Sequence, residues 1–127
     1  MKIEHIAYNV SDPVAIADWY CKNLGFTVVK HIPGPHEVHF LADEDKSMII
    51  EMYHNPPEQV PDYASMDPLI LHVAFYSENP DADCKKLEEA GATLVGHTHL
   101  DDGSHLAMLR DPWGFSIQLC KRGTPLV

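Results

Sequence analysis

LILHVAFYSENP, residues 69–80, lies in the middle of the chain and repeats, in different letters, the way the chain opens, IEHIAYNVSDP, residues 3–13. Each stretch is a strand-like run holding one histidine, and each ends on a polar residue followed by proline. Asp12-Pro13 and Asn79-Pro80 both read as helix starts, with a capping side chain ahead of a proline at the first helical position. A spacing of 67 positions separates His5 from His72, Pro13 from Pro80, and Glu51 from Gln118. Gly25 and Gly91, which close the two expected helices, are 66 apart, and Asp43 and Asp111, each closing a third strand, are 68 apart. Slips of one residue in turns are what a duplicated module accumulates, and the match spans nearly the whole chain.

Outward from these two anchors the elements fall into place. The first half has a strand over 2–10 and a helix over 13–24 that buries Ile16, Tyr20 and Leu24 at four-residue spacing and stops at Gly25. Strands over 26–32, 36–43 and 47–54 follow. The second half has a strand over 69–76, a helix from Pro80 that ends at Gly91, and strands over 92–100, 104–111 and 115–122. Both halves read βαβββ. The expected fold is therefore α+β: a single domain, residues 1–127, of two βαβββ modules, residues 1–54 and 69–122, joined by a proline-rich linker over 55–68.

Strand alternation decides which residues share a face. His5 and His72 point away from their apolar neighbours, Ile6 in one case and Leu71 and Val73 in the other. Glu51 points away from Ile50 and Met52, and Gln118 away from Ile117 and Leu119. The apolar sets are expected under the helices, and His5, Glu51, His72 and Gln118 on the other side of the sheet. An isolated carboxylate in an apolar strand such as IIEMY is costly unless it is paired or bound to metal. Two imidazoles, a carboxylate and an amide oxygen suit Zn, Ni, Mn, Fe or Co and leave positions open for the adjacent oxygens of a small substrate. His31, His36, His39, His97, His99 and His105 have no such coincidence under the repeat and are expected to face solvent. Trp19, Tyr53, Tyr63, Tyr76 and Trp113 are read as packing residues rather than recognition elements.

Composition narrows the function classes. The 127 residues, 45% hydrophobic and 22% charged, are ordinary for one folded domain. The formal charge is −10, from 9 basic against 19 acidic residues, and no Lys/Arg cluster stands out. Such a field repels phosphate backbones and anionic lipid, so neither nucleic acid nor a membrane is an expected partner. Met1-Lys2 leads straight into a strand-like run, no segment has signal-peptide character or the length of a membrane span, and a cytoplasmic location is expected. Cys21, Cys84 and Cys120, odd in number and without a CxxC pair, are expected as reduced, packed thiols.

The motifs IEHIAYNVSDP, IIEMY, LILHVAF and DPWGFSIQL, in this order and spacing, resemble the vicinal oxygen chelate superfamily. That group includes glyoxalase I, methylmalonyl-CoA epimerase, fosfomycin- and bleomycin-resistance proteins and extradiol dioxygenases. The resemblance implies a cupped sheet of two modules, helices outside, holding one divalent metal between His5, Glu51, His72 and Gln118. It implies a homodimer, with modules either exchanged between subunits or not. Glyoxalase I-like members present a carboxylate on each closing strand, whereas this chain has Gln118 on the second, so Glu51 alone can be the general base; an amide ligates but takes no proton. The implied activity is that of a metal-dependent lyase, isomerase or epimerase transferring a proton next to a chelated carbonyl. A non-catalytic small-ligand binding or resistance protein and an Fe(II)-dependent dioxygenase are the alternatives. Arg110 is the one basic residue placed to contact a phosphate.

Overall fold

Pro13 has no amide hydrogen to lose in the first turn of a helix, and the Asp12 side chain accepts a hydrogen bond from the Ala15 amide, so α1 runs Pro13–Leu24. It ends at Gly25, whose φ of 74° turns the chain out in the left-handed conformation. In a computed structural model describing residues 1–127, β1 (Ile6–Asn9) precedes this helix, and β2 (Thr27–Ile32), β3 (Val38–Ala42) and β4 (Ile49–Tyr53) follow it. After two 3-10 turns, Pro57–Gln59 and Tyr63–Ser65, the same order returns as β5 (Val73–Tyr76), α2 (Pro80–Glu89), β6 (Thr93–His99), β7 (His105–Arg110) and β8 (Ser116–Lys121). Asn79 caps α2 by accepting from the Ala82 amide, as Asp12 caps α1.

The chain divides into two compact units, Met1–Pro61 and Asp62–Val127. Each holds its own four-stranded mixed sheet, in the order β1-β4-β3-β2 in the first and β5-β8-β7-β6 in the second. In each, the opening strand lies parallel to the closing one and the remaining pairs are antiparallel. The edge strands carry the same irregularity, a register shift between Val28 and Lys30 in β2 and between Leu94 and Gly96 in β6. This is the α+β fold of paired βαβββ modules that the repeat predicts.

One face of each sheet is covered by its helix. α1 packs on β2, β3 and β4, and α2 on β6, β7 and β8. The first core is built from Ile16, Trp19, Tyr20, Leu41, Ile50 and Met52, and the second from Cys84, Leu87, Ala107, Leu109, Ile117 and Leu119. Leu24 is only half-buried, because α1 is already turning away at its last residue, while Trp19 and Ala17 join Ile16 and Tyr20 inside. His39 is also buried at 7% exposure, and the His105 side chain is 12% exposed. Neither faces solvent as the sequence suggests, since each shares its strand face with a core residue two positions on, Leu41 in β3 and Ala107 in β7.

Two strands are shorter than their apolar runs. β1 starts only at Ile6, opposite Ile50, one residue inside the start of β4 at Ile49. β5 starts only at Val73, because Asp67 draws the preceding residues into a turn: the Leu69 amide donates to its side chain and the Ile70 amide to its carbonyl. His5 and His72 therefore stand just ahead of their strands. The β3–β4 and β7–β8 connections are closed by one device. Asp43 accepts from the Ser47 and Met48 amides and the Ser47 hydroxyl, and buried Asp111 accepts from the Trp113 and Phe115 amides.

Candidate functional site

In the Met1–Pro61 unit, β1 and β4 run side by side with Ala7 opposite Glu51, so His5, two residues before Ala7, shares the Glu51 face. The side chains meet: His5 Nε2 lies 3.1 Å from Glu51 Oε2. The other ring nitrogen, Nδ1, is hydrogen-bonded to the carboxylate of Glu4. That bond, reinforced by the charges of Glu4 and Glu51, holds the imidazole above its ordinary value of 6.5 although desolvation pulls the other way. The ring is thus oriented by one carboxylate and aimed at a second. Phe40, directly opposite Glu51 across the β3–β4 ladder, meets the His5 ring edge-on at 6.0 Å.

The Asp62–Val127 unit holds His72 and Gln118 at the corresponding sequence positions. Ala74 is opposite Gln118, and His72 stands two residues before Ala74, just ahead of the strand. His72 Nδ1 bonds the Pro68 carbonyl at 2.9 Å, so Nε2 is the nitrogen left to ligate. Gln118 accepts a hydrogen bond on Oε1 from the Cys120 thiol, 3.0 Å away and two residues along the same strand face. Burial raises the Cys120 thiol above its ordinary range, which keeps it protonated and a donor. Gln118 also lines a cavity of about 320 Å³, walled by Leu69, Val95, Leu106 and Met108.

The donor chemistry suits a divalent ion in both units. Two ligands bonded to one ion at about 2.1 Å each stand roughly 3.0–3.4 Å apart for octahedral and tetrahedral angles. The 3.1 Å between His5 Nε2 and Glu51 Oε2, the distance of a direct imidazole–carboxylate contact, falls within that range. Both histidines have Nδ1 tied to an oxygen acceptor, the usual support for ligation through Nε2. Arg110 does not serve as an anion receptor: its guanidinium donates to the carbonyls of Tyr63, Met66 and Gly114 and to the Ser116 hydroxyl, clamping the chain before β5 onto the β7–β8 turn. Glu4, Pro68 and Cys120 are supporting residues that sequence reading passes over. Cys120 was accessible to it, since two residues beyond Gln118 on a strand is the same face; Phe40 becomes visible only with the β3–β4 register.

Comparison with known proteins agrees with this architecture. The family model described as the Glyoxalase/Bleomycin resistance protein/Dioxygenase superfamily matches residues 2–119. Among solved structures, a glyoxalase family protein from Enterococcus faecalis is 26% identical with a TM-score of 0.73, over 94% of this chain and 97% of that one. An antibiotic binding protein from Streptomyces sp. CB03234 is 25% identical with a TM-score of 0.72, over 96% and 98%. Glyoxalase I from Zea mays, at 18% identity, shares the fold with a TM-score of 0.75 over 95% of this chain and 44% of its own. No curated protein matches the sequence significantly. With two βαβββ units and a family match that leaves out only the chain's ends, the protein belongs to the Glyoxalase/Bleomycin resistance protein/Dioxygenase superfamily.

Proposed function

We propose that this protein binds one divalent metal between His5, Glu51, His72 and Gln118 and catalyses proton transfer next to a chelated carbonyl, as a glyoxalase I-like isomerase or lyase or as an epimerase. The observation that carries the reading is the His5–Glu51 pair, at the separation of two ligands to one ion, with an imidazole and an amide at the corresponding positions of the second unit. Joining the two pairs into one site, in a sheet cupped across both modules, is part of the proposal. When bound, the ion supplies Lewis acidity that makes a proton beside the carbonyl easier to remove.

The protein's own groups do the rest. Glu4 and the Pro68 carbonyl fix the imidazoles of His5 and His72, the Cys120 thiol holds the Gln118 amide with its oxygen engaged, and the apolar cavity wall takes the substrate's carbon skeleton. Glu51 takes the proton at a carboxylate oxygen and returns it, since Gln118 has no basic atom. With a single carboxylate among the four ligands, the substrates favoured are anionic chelators with adjacent oxygens.

Elemental analysis beside activity tests this reading. Wild type carries one more equivalent of metal than His5→Ala. Glu51→Gln keeps much of that equivalent but loses turnover of hemithioacetal or 2-oxo thioester substrates, because the amide ligates without accepting a proton. Wild type that refuses Zn, Ni, Mn, Fe and Co at this site gives way to a second reading, a non-catalytic small-ligand binder. The apolar cavity beside Gln118 and the likeness to an antibiotic binding protein favour that alternative. Metal binding with inert substrates turns the screen to oxygen-dependent cleavage under Fe(II), which two histidines and a carboxylate also support.

A further inference from the structure

The face of the second sheet opposite Gln118 carries a separate group of imidazoles. His99 stands directly across the β6–β7 ladder from His105, and His97, two residues before His99, is their diagonal neighbour on the same face. His97 Nδ1 and His105 Nε2 are 2.8 Å apart. The first turn of α2 brings Asp81 over them, with Oδ1 at 3.8 Å from His97 Nδ1 and 3.7 Å from His105 Nε2. At those distances the carboxylate is beyond hydrogen-bond reach of either ring.

We propose that Asp81, His97 and His105 form a second metal site, distinct from the His5–Glu51 set, for a borderline divalent cation such as Zn2+ or Cu2+. Three donor atoms from three different elements, α2, β6 and β7, lie within 3.8 Å of one another. For bonds of about 2.1 Å the ligand–ligand edges are roughly 3.0–3.4 Å, so the observed triangle closes on an ion with movements of a few tenths of an ångström. Imidazole nitrogen with one carboxylate is a donor set for Zn2+ and Cu2+ rather than for Mg2+ or Ca2+, which prefer oxygen alone. His99 stacks on His105 with ring centroids 4.1 Å apart and steadies that ring, and stacked planes do not aim two nitrogens at one point. Three protein ligands leave room for water.

The position gives the ion a consequence. β6 is the edge strand of its sheet and bears the register shift between Leu94 and Gly96. Gly96, His97 and Thr98 also border the cavity next to Gln118. An ion held by α2, β6 and β7 cross-links the edge strand to the rest of the unit and stiffens that cavity wall. Binding also displaces the proton between His97 and His105, so it releases acid.

The test uses untagged full-length protein carrying His5→Ala and Glu51→Ala, so that the other set does not contribute. Zn2+ is titrated against a chromophoric chelator, and substoichiometric Cu2+ is added while histidine ring resonances are followed by NMR. The expected result is one equivalent of Zn2+ per chain, weakened at least tenfold by Asp81→Ala and by His97→Ala. Cu2+ should broaden the His97 and His105 rings ahead of His31 and His39. Asp81 and His97 are exposed, and unchanged far-UV circular dichroism shows that both variants fold. No stoichiometric uptake, equal uptake in both variants, or broadening centred on His31 and His39 overturns the proposal. Because the His5→Ala comparison is read separately, failure of either site leaves the other readable.

Discussion

Gln118 holds the place where a second carboxylate would double the negative charge of the proposed site, and its Oε1 is already engaged by Cys120. Gln118→Glu is expected to introduce hemithioacetal isomerase activity, measured with methylglyoxal and a thiol, by supplying a group that takes a proton as well as ligating; the same low background as wild type would move the limit to substrate fit. Two glycines show how context sets the cost of one change. Gly25 has φ of 74° with open space around an added Cβ, so Gly25→Ala is expected to cost about 1–2 kcal/mol from left-handed strain alone. Gly114, φ 89°, would place its Cβ 2.6 Å from that of Ala64, so Gly114→Ala adds a steric clash and is expected to lose clearly more in urea unfolding. Gly114 is legible in DPWGF as a turn glycine, but Ala64 lies 50 residues away and its approach is not.

Both helices begin with the same chemistry at the scale of the element. Asp12→Ala and Asn79→Ala each remove an acceptor for an amide in the first turn and are each expected to cost about 1 kcal/mol in chemical denaturation. The Asp43 turn adds a pH dependence. Burial pushes its carboxyl up, but hydrogen bonds from the Met48 amide and from the Ser47 hydroxyl and amide outweigh this and hold it below 3.8. A lowered folded value means the stability it contributes is present above 3.8 and is lost as pH falls through that lower value. Asp43→Asn should therefore be less stable than wild type at neutral pH, with the gap closing below pH 3.8, as followed by circular dichroism.

At the scale of the molecule, no helix is long and apolar enough to cross a membrane, and a formal charge of −10 leaves little attraction for polyanions. The homodimer that the family resemblance implies can be tested together with its arrangement. If subunits exchange modules, one site draws His5 and Glu51 from one chain and His72 and Gln118 from the other. Co-refolding His5→Ala with His72→Ala then regenerates some intact sites and part of the metal binding that each variant lacks alone. An unexchanged dimer leaves a defect in every site and restores none. Light scattering on the same mixture checks that dimers form.

The repeat was legible because local rules write it twice: a cap and proline to begin each helix, a glycine to turn after it, alternation along each strand. These are interactions between neighbours in the chain, so α1 and the meeting of His5 with Glu51 follow from sequence. Strand length does not, since it depends on what lies alongside: β1 starts close to the start of β4, and β5 starts only where the Asp67 turn releases the chain. Nor does the fate of a histidine. His39 and His105 read as surface residues by type, but they share strand faces with Leu41 and Ala107, and the helices that cover those faces bury them. The Asp81–His97–His105 group belongs wholly to the tertiary structure, because its donors come from α2, β6 and β7, and no spacing along the chain records that a helix start lies over a hairpin.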